Sequence, residues 1–185
     1  MKLFRWIRNL FRRKKPAPRP VSRKPDVLVP TTMELRKINK AGLELVKHFE
    51  GYYSKAYKCP AGVWTIGYGT IRYPNGDPVY RGHECTELEA SYWLKYELAK
   101  KAQTVQRFLH NWSIELNDNE FSALVSFCYN LGTGPLVESH RSLHQAITTD
   151  LNKVPDAMRL YVKAGGKTLR GLVRRREAEV ELWES

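Results

Sequence analysis

HFEGYYSKAYKCPAGVWTIGYGT, residues 48–70, marks a change of conformational preference within the chain. Just before it, Asn39 is a suitable N-cap for a helix carrying Leu43, Leu45, Val46 and Phe49, and Gly51 is a natural stop. From Tyr52 to Tyr80, by contrast, Tyr57, Val63, Trp64, Ile66, Tyr68 and Ile71 favour strands, while CPAG and YPNGD signal turns. A small antiparallel sheet or hairpin pair is predicted there. Three chemically capable side chains follow at set spacing: Glu50, eight residues, Cys59, five residues, then Thr65 at the head of TIGYG. Glu50 falls in the last helical turn, where the negative end of the helix dipole disfavours ionisation. Burial beside Phe49 and aromatic neighbours would act the same way. A proton donor at neutral pH needs that behaviour. Cys59 is expected in a turn and Thr65 on a strand, with Gly67 and Gly69 letting the backbone approach a ligand closely.

The rest of the chain reads as helical. Thr86-Glu87-Leu88-Glu89 has capping-box form and opens a segment with Ala90, Trp93, Leu94, Leu98, Ala102, Val105 and Leu109 on one broad face. Asn117 to Glu120 reads as a second start, ahead of Phe121, Leu124, Val125 and Cys128, and GTGP at 132–135 ends that helix. Further helices are predicted over 140–149, 155–164 and 172–183. A small β lobe in a mostly helical domain is an α+β design, with a cleft between the lobes and Glu50 at their junction.

Outward from this domain the composition shifts. Net charge is +12, yet residues 1–24 hold ten Lys or Arg and no acid, leaving 21 bases against 19 acids beyond them. Basicity therefore belongs mainly to an N-terminal arm. In residues 1–15, MKLFRWIRNLFRRKK, a helical period places Leu3, Phe4, Trp6, Ile7, Leu10 and Phe11 on an arc of about 160°, opposite Arg5, Arg8, Arg12 and Arg13. Charge interrupts the apolar positions too often for a transmembrane span or a signal-peptide core. The arm is suited instead to lie in an anionic membrane surface or lipopolysaccharide. Residues 16–30 contain five prolines and form a stiff, extended spacer. The folded domain is assigned to 31–185. Three cysteines, Cys59, Cys85 and Cys128, make no paired framework and point to synthesis in a reducing cytoplasm. Cys85 and Cys128 read as small buried apolar groups.

The spacing of Glu50, Cys59 and Thr65, with TIGYG after them, resembles the catalytic segment of phage-type lysozymes, the endolysins of glycoside hydrolase family 24. FCYNLGTG at 127–134 and AGGKTLRGLVRRREAEVELW at 164–183 extend the resemblance over about 39–183. It implies a lysozyme-like fold and hydrolysis of the β-1,4 bond between N-acetylmuramic acid and N-acetylglucosamine in peptidoglycan. Glu50 would be the general acid. Cys59 takes a position where family members often have Asp; a free thiol is largely neutral at pH 7, and whether this one serves as base or nucleophile is left open. Thr65 would position water. Inverting and retaining chemistry are both open. Ile71, Tyr129, Asn130 and Ser139 would contact the sugar chain, and one of Arg174, Arg175 and Arg176 would lie near Glu50. The competing reading of RRREAE is a solvated helix laced with ion pairs. Two departures stand out: Leu136 where the family usually has Phe, and SHRSL where a Ser-Thr-Leu run is usual.

No cofactor or metal is expected. His48, His83, His110, His140 and His144 form no ligand cluster with carboxylates, although His140 and His144 are spaced to share a helix face. No phosphate-binding glycine loop or base-reading motif is present, so specific nucleic-acid binding is not expected. A monomer is expected, made in a host cytoplasm and reaching the wall after release or pore formation. The alternative from another class is a membrane-active antimicrobial protein whose domain is an inert wall binder.

Overall fold

The computed structural model describes residues 34–59 and 61–185; the arm 1–15 and spacer 16–30 lie outside the described residues. The described chain starts against the helical body, where Gln106 accepts from the Arg36 N–H at 3.1 Å and donates to the Glu34 carbonyl at 2.9 Å. Asn39 then caps α1 (Lys40–Glu50), its side chain accepting from Gly42 N. Past Gly51 the chain enters β1 (Tyr53–Lys58), which pairs antiparallel with β2 (Trp64–Gly67) in the register Tyr53↔Gly67, Tyr57↔Thr65 and Lys58↔Trp64. Among the described residues only these two short strands form in the β lobe. Residues 70–86 instead run through turns tied by the isolated bridges Lys55↔Glu84 and Arg72↔Pro78.

The helical body follows. The predicted capping box is present, Thr86 with Glu89 opening α2 (Glu87–Asn111), and the predicted second start is also a capping box, Asn117 with Glu120 opening α3 (Asp118–Leu131). After α3 come α4 (Gly134–Val137), α5 (Ser142–Thr149), a 3-10 turn, α6 (Val154–Arg159), the hairpin strands β3 (Lys163–Ala164) and β4 (Lys167–Thr168), and α7 (Arg170–Trp183). Among the described residues no helix is long and apolar enough to cross a membrane. The expected α+β organisation, a mostly helical domain with a small antiparallel β lobe, therefore matches the architecture.

Two local expectations need correction. The helix placed at 155–164 stops at Arg159, because Gly165 and Gly166 take φ of +56° and +78° and turn the chain into a hairpin. The helix placed at 140–149 begins only at Ser142, so His140 and His144 do not share a helix face. His140 is exposed, whereas His144 is buried against Phe108 and Trp112 with Nδ1 2.7 Å from the Leu136 carbonyl oxygen.

α3 is the axis of the body, packing on α1, α2 and α7, and all ten residues from Phe121 to Asn130 are buried. Its polar positions Ser122, Ser126 and Asn130 recur every four residues and so line one face. Buried polar groups need partners, and each of these finds one: Ser122 Oγ accepts from Asn39 N at 2.9 Å, while Ser126 and Asn130 bond to α7. Leu136, which replaces the usual Phe, and Leu143 of SHRSL are fully buried.

The β lobe is fastened to α2 through Ile66, Tyr68 and Cys85, with the Tyr68 hydroxyl donating to Glu87 Oε1 at 2.6 Å. Gly67 has φ +59°, and a Cβ there would stand 2.7 Å from the Ala90 Cβ. Its lack of a side chain thus makes room for α2. Gly67→Ala should cost about 2–4 kcal/mol, combining left-handed strain with overpacking. Ala90→Gly in the same chain should recover only the steric part, as read from urea denaturation midpoints. An unshifted midpoint for Gly67→Ala would contradict this contact.

Candidate active site

Glu50 closes α1, and its side chain is only 8% exposed. The apolar pocket expected around it is incomplete, because Arg175 of α7 donates from Nη1 to Glu50 Oε1 at 2.9 Å and lies over the Phe49 ring. Arg175 is itself fully buried and donates from Nε to Glu179 Oε1 at 3.2 Å. Glu179 Oε1 also accepts from the Ser126 hydroxyl at 2.8 Å and from Arg176 Nη2 at 3.1 Å. Arg176 Nη2 reaches Asn130 Oδ1 at 3.0 Å, with its guanidinium over Phe127. Two helices distant in sequence are thereby joined by a buried run of charge-assisted hydrogen bonds.

Burial opposes the charge of Arg175, but the carboxylates of Glu50 and Glu179 outweigh it and hold the guanidinium protonated above its ordinary range. Burial pushes Arg176 down to about 10, partly offset by Glu179, so it too is charged at neutral pH. Of the three candidate arginines, Arg175 is the one at Glu50. The solvated-helix reading of RRREAE holds for Arg174 and Glu177, which are exposed, and fails for Arg175, Arg176 and Glu179, which are not.

Cys59 follows β1 as a half-buried free thiol, in a turn closed by Cys59 N to the Val63 carbonyl at 3.0 Å and Gly62 N to the Cys59 carbonyl at 2.8 Å. Thr65 sits on β2 opposite Tyr57. Alternation along the strands puts Cys59 and Thr65 on one face as diagonal neighbours. The Thr65 hydroxyl donates to the Val63 carbonyl at 3.2 Å and the residue is 2% exposed. Its proton is therefore committed within the hairpin, and its oxygen remains an acceptor.

The remaining candidates are spread over both lobes. Tyr129 is buried and its hydroxyl donates to the Tyr68 carbonyl at 3.3 Å, linking α3 to the β lobe. Asn130 is buried, with Oδ1 accepting from Arg176 Nη2. Ile71 is half-buried, and its carbonyl accepts from Val79 N. Ser139 is exposed just beyond α4, its carbonyl accepting from Gln145 Nε2 at 3.4 Å. Sequence reasoning missed Glu179 and Ser126 altogether. The signal available was the polar stripe of α3, read together with the acid four residues after Arg175.

Cys85 and Cys128 are buried as expected. Among the described residues no cluster of His, Cys, Asp or Glu could hold a metal ion.

Comparisons with known proteins align with this geometry. A family model described as phage lysozyme matches residues 47–179. The endolysin of Bacillus phage B103 is 34% identical over 148 residues, covering 79% of this chain but only 53% of that protein, so this chain spans about half its length. The endolysin of Acyrthosiphon pisum secondary endosymbiont phage 1 is 31% identical over 153 residues, covering 80% of this chain and 98% of its own. Among solved structures, the muramidase domain of SpmX from Asticaccaulis excentricus superposes with a TM-score of 0.67 at 30% identity, covering 80% of this chain and 98% of that one. A mutant P22 lysozyme gives a TM-score of 0.68 at 27% identity, covering 81% and 99%.

Two expected outcomes test the buried groups. Glu179→Gln leaves two buried guanidiniums facing a neutral amide and should cost about 3–5 kcal/mol in urea unfolding, with no loss expected only if the cluster is misplaced. Burial also pushes the Cys128 thiol from its ordinary 9.0 up to about 12. Between those values the unfolded chain releases a proton that the folded chain keeps, so stability falls as pH rises. Below the ordinary value the term is constant. Cys128→Ala should flatten that alkaline decline, measured as unfolding free energy against pH.

Proposed function

The chain belongs to the phage lysozyme family, and from that premise we propose that it is an endolysin hydrolysing the β-1,4 bond between N-acetylmuramic acid and N-acetylglucosamine in bacterial peptidoglycan. The observation that carries the reading is the setting of Glu50, nearly buried at the end of α1 with one carboxyl oxygen fastened by an arginine that is itself fastened. With Oε1 accepting from Arg175, Oε2 is the oxygen that carries the proton to the departing sugar oxygen. A fixed donor needs little reorganisation as the bond breaks.

Cys59 and Thr65, on the hairpin directly after Glu50, act on the other side of the reaction. Thr65 accepts a hydrogen bond from the attacking water through the lone pairs its own donation leaves free. Cys59, half-buried and unpaired in a disulfide, is the base that activates that water or the nucleophile that attacks the anomeric carbon. Tyr129, Asn130, Ile71 and Ser139 contact the glycan. The protein acts as a monomer, is made in the host cytoplasm and reaches the wall to lyse the host. Residues 1–15 bind anionic membrane or lipopolysaccharide and bring the domain 31–185 to its substrate, with 16–30 as the spacer.

Clearing of purified sacculi, followed by turbidity, tests the assignment. Glu50→Gln should lose about 10³-fold or more in rate with an unchanged circular dichroism spectrum. Cys59→Ser and Thr65→Ala should each lose about 10²-fold. Deletion of residues 1–24 should leave hydrolysis of isolated sacculi intact while weakening lysis of whole cells. Full clearing by Glu50→Gln would end the proposal.

A further inference from the structure

At the opposite end of α1 from Glu50 lies a groove of about 690 Å³ between residues 37–43 and α2. Its apolar lining comes from Ile38, Leu43 and the rings of Tyr92 and Tyr96. Lys37, Lys40 and Lys95 complete it, all three exposed, and no acidic residue lines it. None of these three lysines makes an ion pair with a described residue, as is also true of Lys58, Lys163 and Lys167, while Lys47, Lys55, Lys100 and Lys153 do. Three cations beside one apolar trough are thus left without counter-charge among the described residues.

The surface around the groove is also apolar. Leu88, Tyr92 and Tyr96, spaced four apart on α2, are 82%, 61% and 36% exposed and form one stripe leading into it. The groove is separate from the proposed catalytic site: Lys40 and Glu50 are ten residues apart along one helix, about 15 Å.

We propose that this groove docks an anionic phospholipid, its acyl chain lying against Ile38, Leu43 and the tyrosine rings and its phosphate meeting Lys37, Lys40 and Lys95. Charge complementarity selects the occupant. The arm 1–15 carries seven Lys or Arg and no acid, the same sign as the groove, so the chain's own amphipathic segment is not what fills it. Position agrees. The chain outside the described residues, which includes the cationic arm, joins the domain at Glu34, three residues before Lys37. Lysine stems can lie along apolar surface while their ammonium groups reach a phosphate, and tyrosine places a ring and a polar tip at such a boundary. The inference does not depend on the catalytic assignment.

The test is a ¹H–¹⁵N NMR titration of the full chain with monomeric dihexanoylphosphatidylglycerol. Dihexanoylphosphatidylcholine, inorganic phosphate and a single-stranded oligonucleotide serve as comparators. Saturable shifts at residues 37–43 and 92–99 with the anionic lipid, and weaker ones with each comparator, are expected. Lys37→Glu with Lys95→Glu should weaken binding at least about tenfold, at roughly fivefold per lysine. Lys153→Glu should not weaken it, and clearing of sacculi should be unchanged in both. Tyr92→Ser, at a position that is mostly exposed, offers a second variant if the charge reversals perturb folding, and should also weaken binding. Shifts confined to residues 1–24, equal response to phosphatidylcholine or phosphate, tighter binding of the oligonucleotide, or undiminished binding by the variants would overturn the proposal. So would groove shifts that appear on deleting residues 1–24 without lipid, which would make the arm the occupant.

Discussion

Arg175 joins what the chain keeps 125 residues apart, donating to Glu50 at the end of α1 and to Glu179 one turn along α7. Removing two carboxyl side chains and two guanidiniums from water is costly, and their mutual attraction offsets that cost only when the hydrogen bonds are well formed. Ser126 and Asn130 contribute to that geometry from α3. The orientation of Glu50 is thus set by the packing of α1, α3 and α7 together, and any change that slides one of these helices also moves the carboxyl group.

The β lobe is held by a different device. Its contact with α2 is steric and apolar, with Gly67 pressed against Ala90 and Ile66 and Tyr68 buried beside it. Tyr129 then links the helical body back to the lobe through the Tyr68 carbonyl. Cys59 and Thr65 share one hairpin, so their relative placement depends on strand register, while their placement against Glu50 depends on the α2 contact. Charge orders one half of the candidate site and close packing orders the other.

Much of the scaffold was legible in advance because helix starts are written locally. Asn39, Thr86 and Asn117 cap where their side chains say they should, and Thr86 and Asn117 each have an acid three residues on. The turn at Cys59 and the strand at Thr65 were likewise visible from turn residues and β-prone neighbours. Errors fell where one short-range signal competed with another. A helix was expected through 155–164, but it ends at Arg159 and a Gly-Gly pair with positive φ turns the chain into a hairpin. Spacing of four between His140 and His144 meant nothing once the helix began at Ser142.

The sequence by itself determined the family, the α+β organisation and the spacing of Glu50, Cys59 and Thr65, since caps, periodicity and turn chemistry act over a few residues. Tertiary structure alone decided which arginine meets Glu50, that Glu179 and Ser126 support it, and that Gly67 makes room for a helix. A solvated RRREAE helix and a buried one have the same spacing. The difference is set by what packs opposite, and the polar stripe of α3 is available to accept α7 only after both helices have folded.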